Sequence, residues 1–209
     1  MNRVVLGARV HSGWAAIVAV SGDPVSPQVV DRRRINIVDS AVIGASQPYH
    51  FAENLQLSDA EPYLNNCVTV CERIAVTAIG AVQQELRTTD HRVEACAIVL
   101  AAGRPLPDLA GILASHALIH TAEGEFFRQV IRKACETLAI AVTGIRERDL
   151  DARAASLFGK NKSRVDRKIA EQGRILGPPW TQDQKLATLA ATLVLADLCG
   201  HPYSKGPAS

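Results

Sequence analysis

The sequence predicts an α/β domain on a mixed five-stranded sheet, three antiparallel strands followed by βαβ units, with helices on its flanks. Three observations lead there. Apolar segments follow one another in the order β-β-β-α-β-α-β-α. The residues are 47% hydrophobic but only 4% aromatic, so the core must be built from Val, Ile, Leu and Ala. The run VEACAIVLAA is almost continuously apolar, as a central strand covered on both faces should be. At 209 residues the chain suits one domain over residues 1–200, with 201–209 as a C-terminal tail.

The elements follow in order. RVVLGARV and WAAIVAV are apolar strands separated by His11-Ser12-Gly13, and QVVDRRRINIV is a third strand after the turn chemistry of Ser21-Gly22-Asp23-Pro24. Short turns between strands imply an antiparallel meander. Residues 40–57, with Gly44 and Pro48, read as irregular. Ser58-Asp59-Ala60-Glu61 matches a capping box, and Leu64, Cys67, Cys71, Ile74, Ile79, Val82 and Leu86 follow at helical spacing. After the strand VEACAIVLAA, residues 107–138 are helical, either as one helix or as two with a break near Thr121 to Gly124. AIAVTGI is the fifth strand and ARAASLFG a short helix. Thr181-Gln182-Asp183-Gln184, a second capping box, opens the last helix.

Two stretches carry a resemblance. VVLGARVHSGWAAIVAV looks like an opening strand, glycine-containing turn and second strand, and DQKLATLAATLVLA looks like a last helix whose small residues pack on a sheet. With the element order, they resemble the ribonuclease H-like fold, most closely its RuvC-like branch, the Holliday junction resolvases and their relatives. That resemblance implies carboxylates on the first strand, at the end of the fourth and on the last helix, together binding two divalent metals for phosphodiester cleavage. The chain departs from it. Arg9 stands at the place of the first aspartate, the fourth strand ends in Leu100-Ala101-Ala102, and only Asp183 falls in a matching region. The resemblance therefore implies the fold and a divergent or degenerate nuclease site, with no two-magnesium site expected.

Residues 115–127, SHALIHTAEGEFF, offer another site. On one continuous helix His116, His120 and Glu123 share a face with Leu109, Leu113, Phe127 and Ile131. Two imidazoles one turn apart, with a carboxylate a turn further on, can hold one divalent metal or move a proton. The candidate catalytic residues are thus His116, His120, Glu123 and Asp183, and the candidate metal ligands His116, His120 and Glu123. Half-buried structural histidines are the alternative. Arg9, His11 and the His116 stretch can converge at the C-terminal ends of strands one and four; a surface turn at His11 is the alternative and is slightly favoured.

Net charge, at +2, selects no class of partner. Residues 160–174 are locally basic, with six basic and two acidic side chains. Arg9, Lys160, Lys162, Arg164, Arg167 and Lys168 are the candidate contacts to DNA or RNA phosphates; a solvated helix face is the alternative. Five cysteines without a CxxC motif suit reduced thiols in the cytoplasm, and neither a membrane span nor a leader is expected. A homo-oligomer is compatible with the sequence. The functional expectation is a nucleic-acid-associated protein; a non-enzymatic scaffold, or a small-substrate hydrolase using the His/Glu cluster, is the alternative.

Overall fold

The computed structural model describes residues 1–103 and 105–200, so the expected tail at 201–209 lies outside them. Strands β1 (Asn2–His11), β2 (Trp14–Asp23), β3 (Ser26–Asn36), β4 (His91–Leu100) and β5 (Ala141–Arg146) form one sheet in the order β3-β2-β1-β4-β5. β1 pairs antiparallel with β2 and parallel with β4, and β4 pairs parallel with β5. VEACAIVLAA is therefore the neighbour of RVVLGARV, and the mixed α/β sheet is as the sequence predicts. β2 runs on through Asp23, which pairs with Ser26, so the turn to β3 lies later than the Ser21-to-Pro24 expectation.

Helices cover both faces. They are α1 (Pro48–Ala52), α2 (Leu57–Thr88), α3 (Leu109–Leu113), α4 (His116–Thr137), α5 (Leu150–Phe158), α6 (Lys162–Leu176) and α7 (Gln182–Leu198). Because successive strand residues point to opposite faces, β1 feeds two cores. Val4, Leu6, Ala8 and Val10 pack with α2 and α4 residues such as Cys71, Ile79, Phe127 and Ile131. Val5 packs with Ala187, Ala190 and Leu193 of α7 and with Phe158 and Val165. Gly7 shares the parity of Val5, and the absence of a side chain there lets α7 approach. A Cβ at Gly7 would lie 2.6 Å from the carbonyl carbon of Ala187, and closer still to its oxygen.

Two local expectations are corrected. α2 begins at Leu57 with Gln56 as its N-cap and no side-chain capping bond, so Ser58 is not the cap. Its first turns are held instead by packing, with Ala60 and Leu64 buried against Ala52 and Tyr49. Residues 107–138 do form two helices, but the break is at Ala114 and Ser115, not near Thr121 to Gly124. Asp108 caps α3 by accepting from the Gly111 N–H at 2.9 Å, while Ser115 is extended and opens α4. The box on α7 is present as expected, with Thr181 and Gln184 capping reciprocally. No described helix is long and apolar enough to cross a membrane.

Candidate functional site

Two polar clusters stand out, and the pleat of β1 separates them. Arg9 and His11 have the parity of Gly7, so they belong to the face covered by α7. Ala187 sits against Gly7, which brings Asp183, one turn earlier on α7, to the end of β1. There His11 Nε2 lies 2.9 Å from Asp183 Oδ1. Arg9 Nη2 is 2.8 Å from Glu147 Oε2, and its Nε is 3.8 Å from Asp183 Oδ1. One guanidinium thus spans the two carboxylates that this end of the sheet offers it. The hairpin extends the cluster across the sheet. His11 pairs with Trp14 and stacks on it with ring centroids 4.2 Å apart, and the Arg34 guanidinium lies 4.1 Å over the Trp14 ring.

The second cluster is on the opposite layer, where α4 packs. His116 and His120, in the first two turns of α4, are exposed, and their Nε2 atoms lie 3.0 Å apart. Glu123 is 3% exposed and turns away from them to His50, which belongs to the segment expected to be irregular. His50 Nδ1 is 2.7 Å from Glu123 Oε2. Burial raises the Glu123 carboxyl above the usual carboxylate range, and the bond from His50 opposes that shift. The other carboxylate oxygen, Oε1, is buried without a hydrogen-bond partner.

α1 delivers His50. Pro48 starts this short helix, where its fixed φ suits the first helical position. Tyr49 packs edge-on against Phe126 of α4 at 6.2 Å. Gly44, with φ of 77°, lets Phe51 close against the preceding segment, and Tyr63 of α2 donates from its hydroxyl to the Ile43 carbonyl at 2.8 Å. The His50 ring then stands 5.5 Å from that of His116 and 4.7 Å from that of His120, edge to face with both. One nitrogen from each of His50, His116 and His120 lies within 4.8 Å of the others. A 230 Å³ hollow lined by Tyr49, Leu106, Ala122, Phe126 and Val130 adjoins this cluster through the sequence neighbours of His50 and Glu123.

Arg9 and His11 do not converge with the His116 stretch. Among the described residues no hydrogen bond, ion pair or ring contact links the two clusters. Asp183 stands with His11 and Arg9, away from His116, His120 and Glu123. The structure joins His116 to His120, and it places Glu123 behind His50. Nothing in the residue pattern marks His50, since 73 positions separate it from Glu123; the only local hint is Pro-Tyr-His, a helix-starting proline followed by an anchoring aromatic.

The basic stretch is largely paired. Lys162 reaches Asp151 and Asp166, each at 2.7 Å, and Lys168 reaches Glu171 at 2.8 Å. Arg167 is 4.0 Å from Glu171. Lys160 and Arg164 are exposed and have no hydrogen-bond or ion-pair partner among the described residues. The triple arginine on the edge strand is divided between faces. Arg33 pairs with Asp31 and Glu85, whereas Arg32 donates to the carbonyls of Leu176, Gly177, Pro178 and Pro179.

Solved structures share this architecture. The RuvC structure from Thermus thermophilus matches with a TM-score of 0.51 and 12% identity, over 95% of this chain and 97% of that one. RuvC from T. thermophilus in complex with a Holliday junction substrate matches with a TM-score of 0.50 and 10% identity, at the same coverage of both chains. No family model and no curated protein matches the sequence. The fold is ribonuclease H-like and of the RuvC-like kind.

Proposed function

We propose that the chain is a nucleic-acid-associated protein that uses a RuvC-like fold for binding, with a sheet end that does not carry out two-magnesium cleavage. The observation that carries this reading is the position of Arg9. Two-metal phosphodiester chemistry needs a pair of cations a few ångströms apart, held by several carboxylates. At the end of β1 a permanent guanidinium charge lies against both Glu147 and Asp183, and His11 takes a further bond to Asp183. Any metal must displace Arg9 and overcome its repulsion. The neighbouring end of β4 adds no carboxylate, as Leu100, Ala101 and Ala102 stand there.

The mode of binding follows from what is left open. The Trp14 ring is already stacked on His11 and capped by the Arg34 guanidinium, so stacking on a base would have to displace one of them. Contacts to phosphates, from Lys160 and Arg164 above all, are what the surface offers. Phosphate contacts give affinity that falls steeply with salt.

A four-way DNA junction is the first probe, because the T. thermophilus neighbour was solved with one; duplex DNA and single-stranded RNA complete the set. Fluorescence anisotropy should show binding in low salt. On duplex DNA the log–log salt slope should drop by up to about 0.9 for each phosphate that Lys160→Gln/Arg164→Gln no longer neutralises. No incision is expected with magnesium or manganese. Absence of binding in low salt would leave a partner-binding scaffold as the better reading. Magnesium-dependent incision that disappears in Asp183→Asn would overturn the binding-only assignment.

A further inference from the structure

The cluster on the α4 layer has a geometry that hydrogen bonding alone does not explain. His116 and His120 present Nε2 to Nε2 at 3.0 Å. Two imidazoles bound to one tetrahedral zinc at 2.0–2.1 Å would have their nitrogens about 3.3 Å apart. A single N–H···N bond would satisfy this pair, yet a third ring, that of His50, is brought to the same point from a different helix. Its Nδ1 is held by Glu123, which leaves Nε2 as the nitrogen free to turn toward the other two. The three rings meet edge to face, with interplanar angles of 82°, 66° and 79°, and one nitrogen of each lies within 4.8 Å of the others.

Glu123 supplies an independent observation. A carboxylate 3% exposed, with one oxygen lacking any partner, is costly to bury unless positive charge lies close by. Besides the bond to the His50 ring, Oε2 accepts a long one, at 3.4 Å, from the His50 backbone N–H, and the Tyr49 backbone N–H also lies against the carboxylate. A cation on the far nitrogen of His50 would polarise that ring and strengthen its Nδ1–H bond to Glu123. Carboxylate–histidine–metal relays are the usual support of imidazole ligands.

We infer that His50, His116 and His120 form a site for one divalent transition metal of the zinc class, with Glu123 as the positioning residue behind His50. Neutral imidazoles suit zinc, cobalt, nickel and copper rather than magnesium or calcium. His116 and His120 are exposed, so the fourth position faces solvent and takes an exchangeable water, as in open sites rather than closed structural ones. The assignment is independent of nucleic-acid binding at the other face.

The test uses the full chain with Cys199→Ser, which removes the exposed thiol, stripped with chelator and dialysed. Zinc is titrated calorimetrically, and cobalt by its visible absorption. One ion per chain is expected. His50→Ala and His120→Ala should each abolish that uptake, and His91→Ala, at a histidine outside the cluster, should leave it unchanged. Glu123→Gln should keep the stoichiometry and weaken affinity about 10–100-fold; complete loss there would make Glu123 a ligand and overturn its positioning role. Circular dichroism checks that each variant folds. His116→Gln, at an exposed position, carries the same test if His50→Ala does not fold. Absence of uptake by the parent chain, or uptake unaltered in the folded histidine variants, overturns the site.

Discussion

Gly7→Ala tests the packing that brings β1 and α7 together. The added Cβ would lie 2.6 Å from the carbonyl carbon of Ala187 and 3.2 Å from its Cα. Comfortable carbon contacts need about 3.5–4.0 Å, so the two backbones must separate by roughly an ångström. Neither side has a rotamer that relieves the clash, because the atoms struck are main chain. α7 also packs its Ala190, Ala191 and Leu193 into the same core, so moving it opens gaps elsewhere. Overpacking typically costs about 1–3 kcal/mol, and a backbone clash belongs at the upper end, about 3 kcal/mol. For a chain of this size that corresponds to roughly 6–12 °C in Tm. Urea unfolding should show a lower midpoint at an unchanged m-value. The internal control is Gly80→Ala, where the new Cβ meets Leu138 Cδ2 at an ordinary 3.6 Å inside α2; it should gain about 0.5–1 kcal/mol from helix propensity. A Gly7→Ala protein within about 0.5 kcal/mol of the parent, the scale of an inert surface change, would refute the close-approach argument. The same substitution should lengthen the 2.9 Å His11–Asp183 contact, since Asp183 rides on α7.

Three further outcomes each turn on one local feature. Thr181→Ala removes the cap that accepts from the Asp183 N–H and should cost about 1 kcal/mol in urea unfolding; no loss would mean the box is redundant. Arg32→Lys should destabilise despite keeping the charge, because one ammonium cannot span the four carbonyls from Leu176 to Pro179, and unchanged stability would show that this segment is held by other means. Thiol titration of the native protein should find one fast cysteine, Cys199, and four slow ones, as Cys67, Cys71, Cys96 and Cys135 are buried. Burial pushes the Cys71 thiol up to about 12, which keeps it protonated and unreactive near neutral pH. Rapid labelling of more than one thiol without denaturant would contradict that burial.

The five strands, their pairing and the long helices between them are legible in the residues because they depend on local periodicity and short turns; α1, inside the stretch read as irregular, is not. Apolar alternation, Gly13 in the first hairpin and the Thr181 box each act within a few positions of themselves. Arg9 is likewise visible as a cation where the resemblance requires a carboxylate. The proximity of His116 and His120 follows from their spacing of one helical turn. What the residues leave open depends on which face of the sheet each group reaches. β1 parity sends Arg9 and His11 to α7, while α4 covers the opposite face, so groups that could have shared a strand end stand apart. His50 joins His116 and His120 only because Gly44, Pro48 and Tyr49 fold a segment without periodicity onto α4, and that closure gives Glu123 its partner. Periodicity is a property of neighbours along the chain; the meeting of His50 and Glu123 across 73 positions is decided by how the helices pack, which the tertiary structure alone determines.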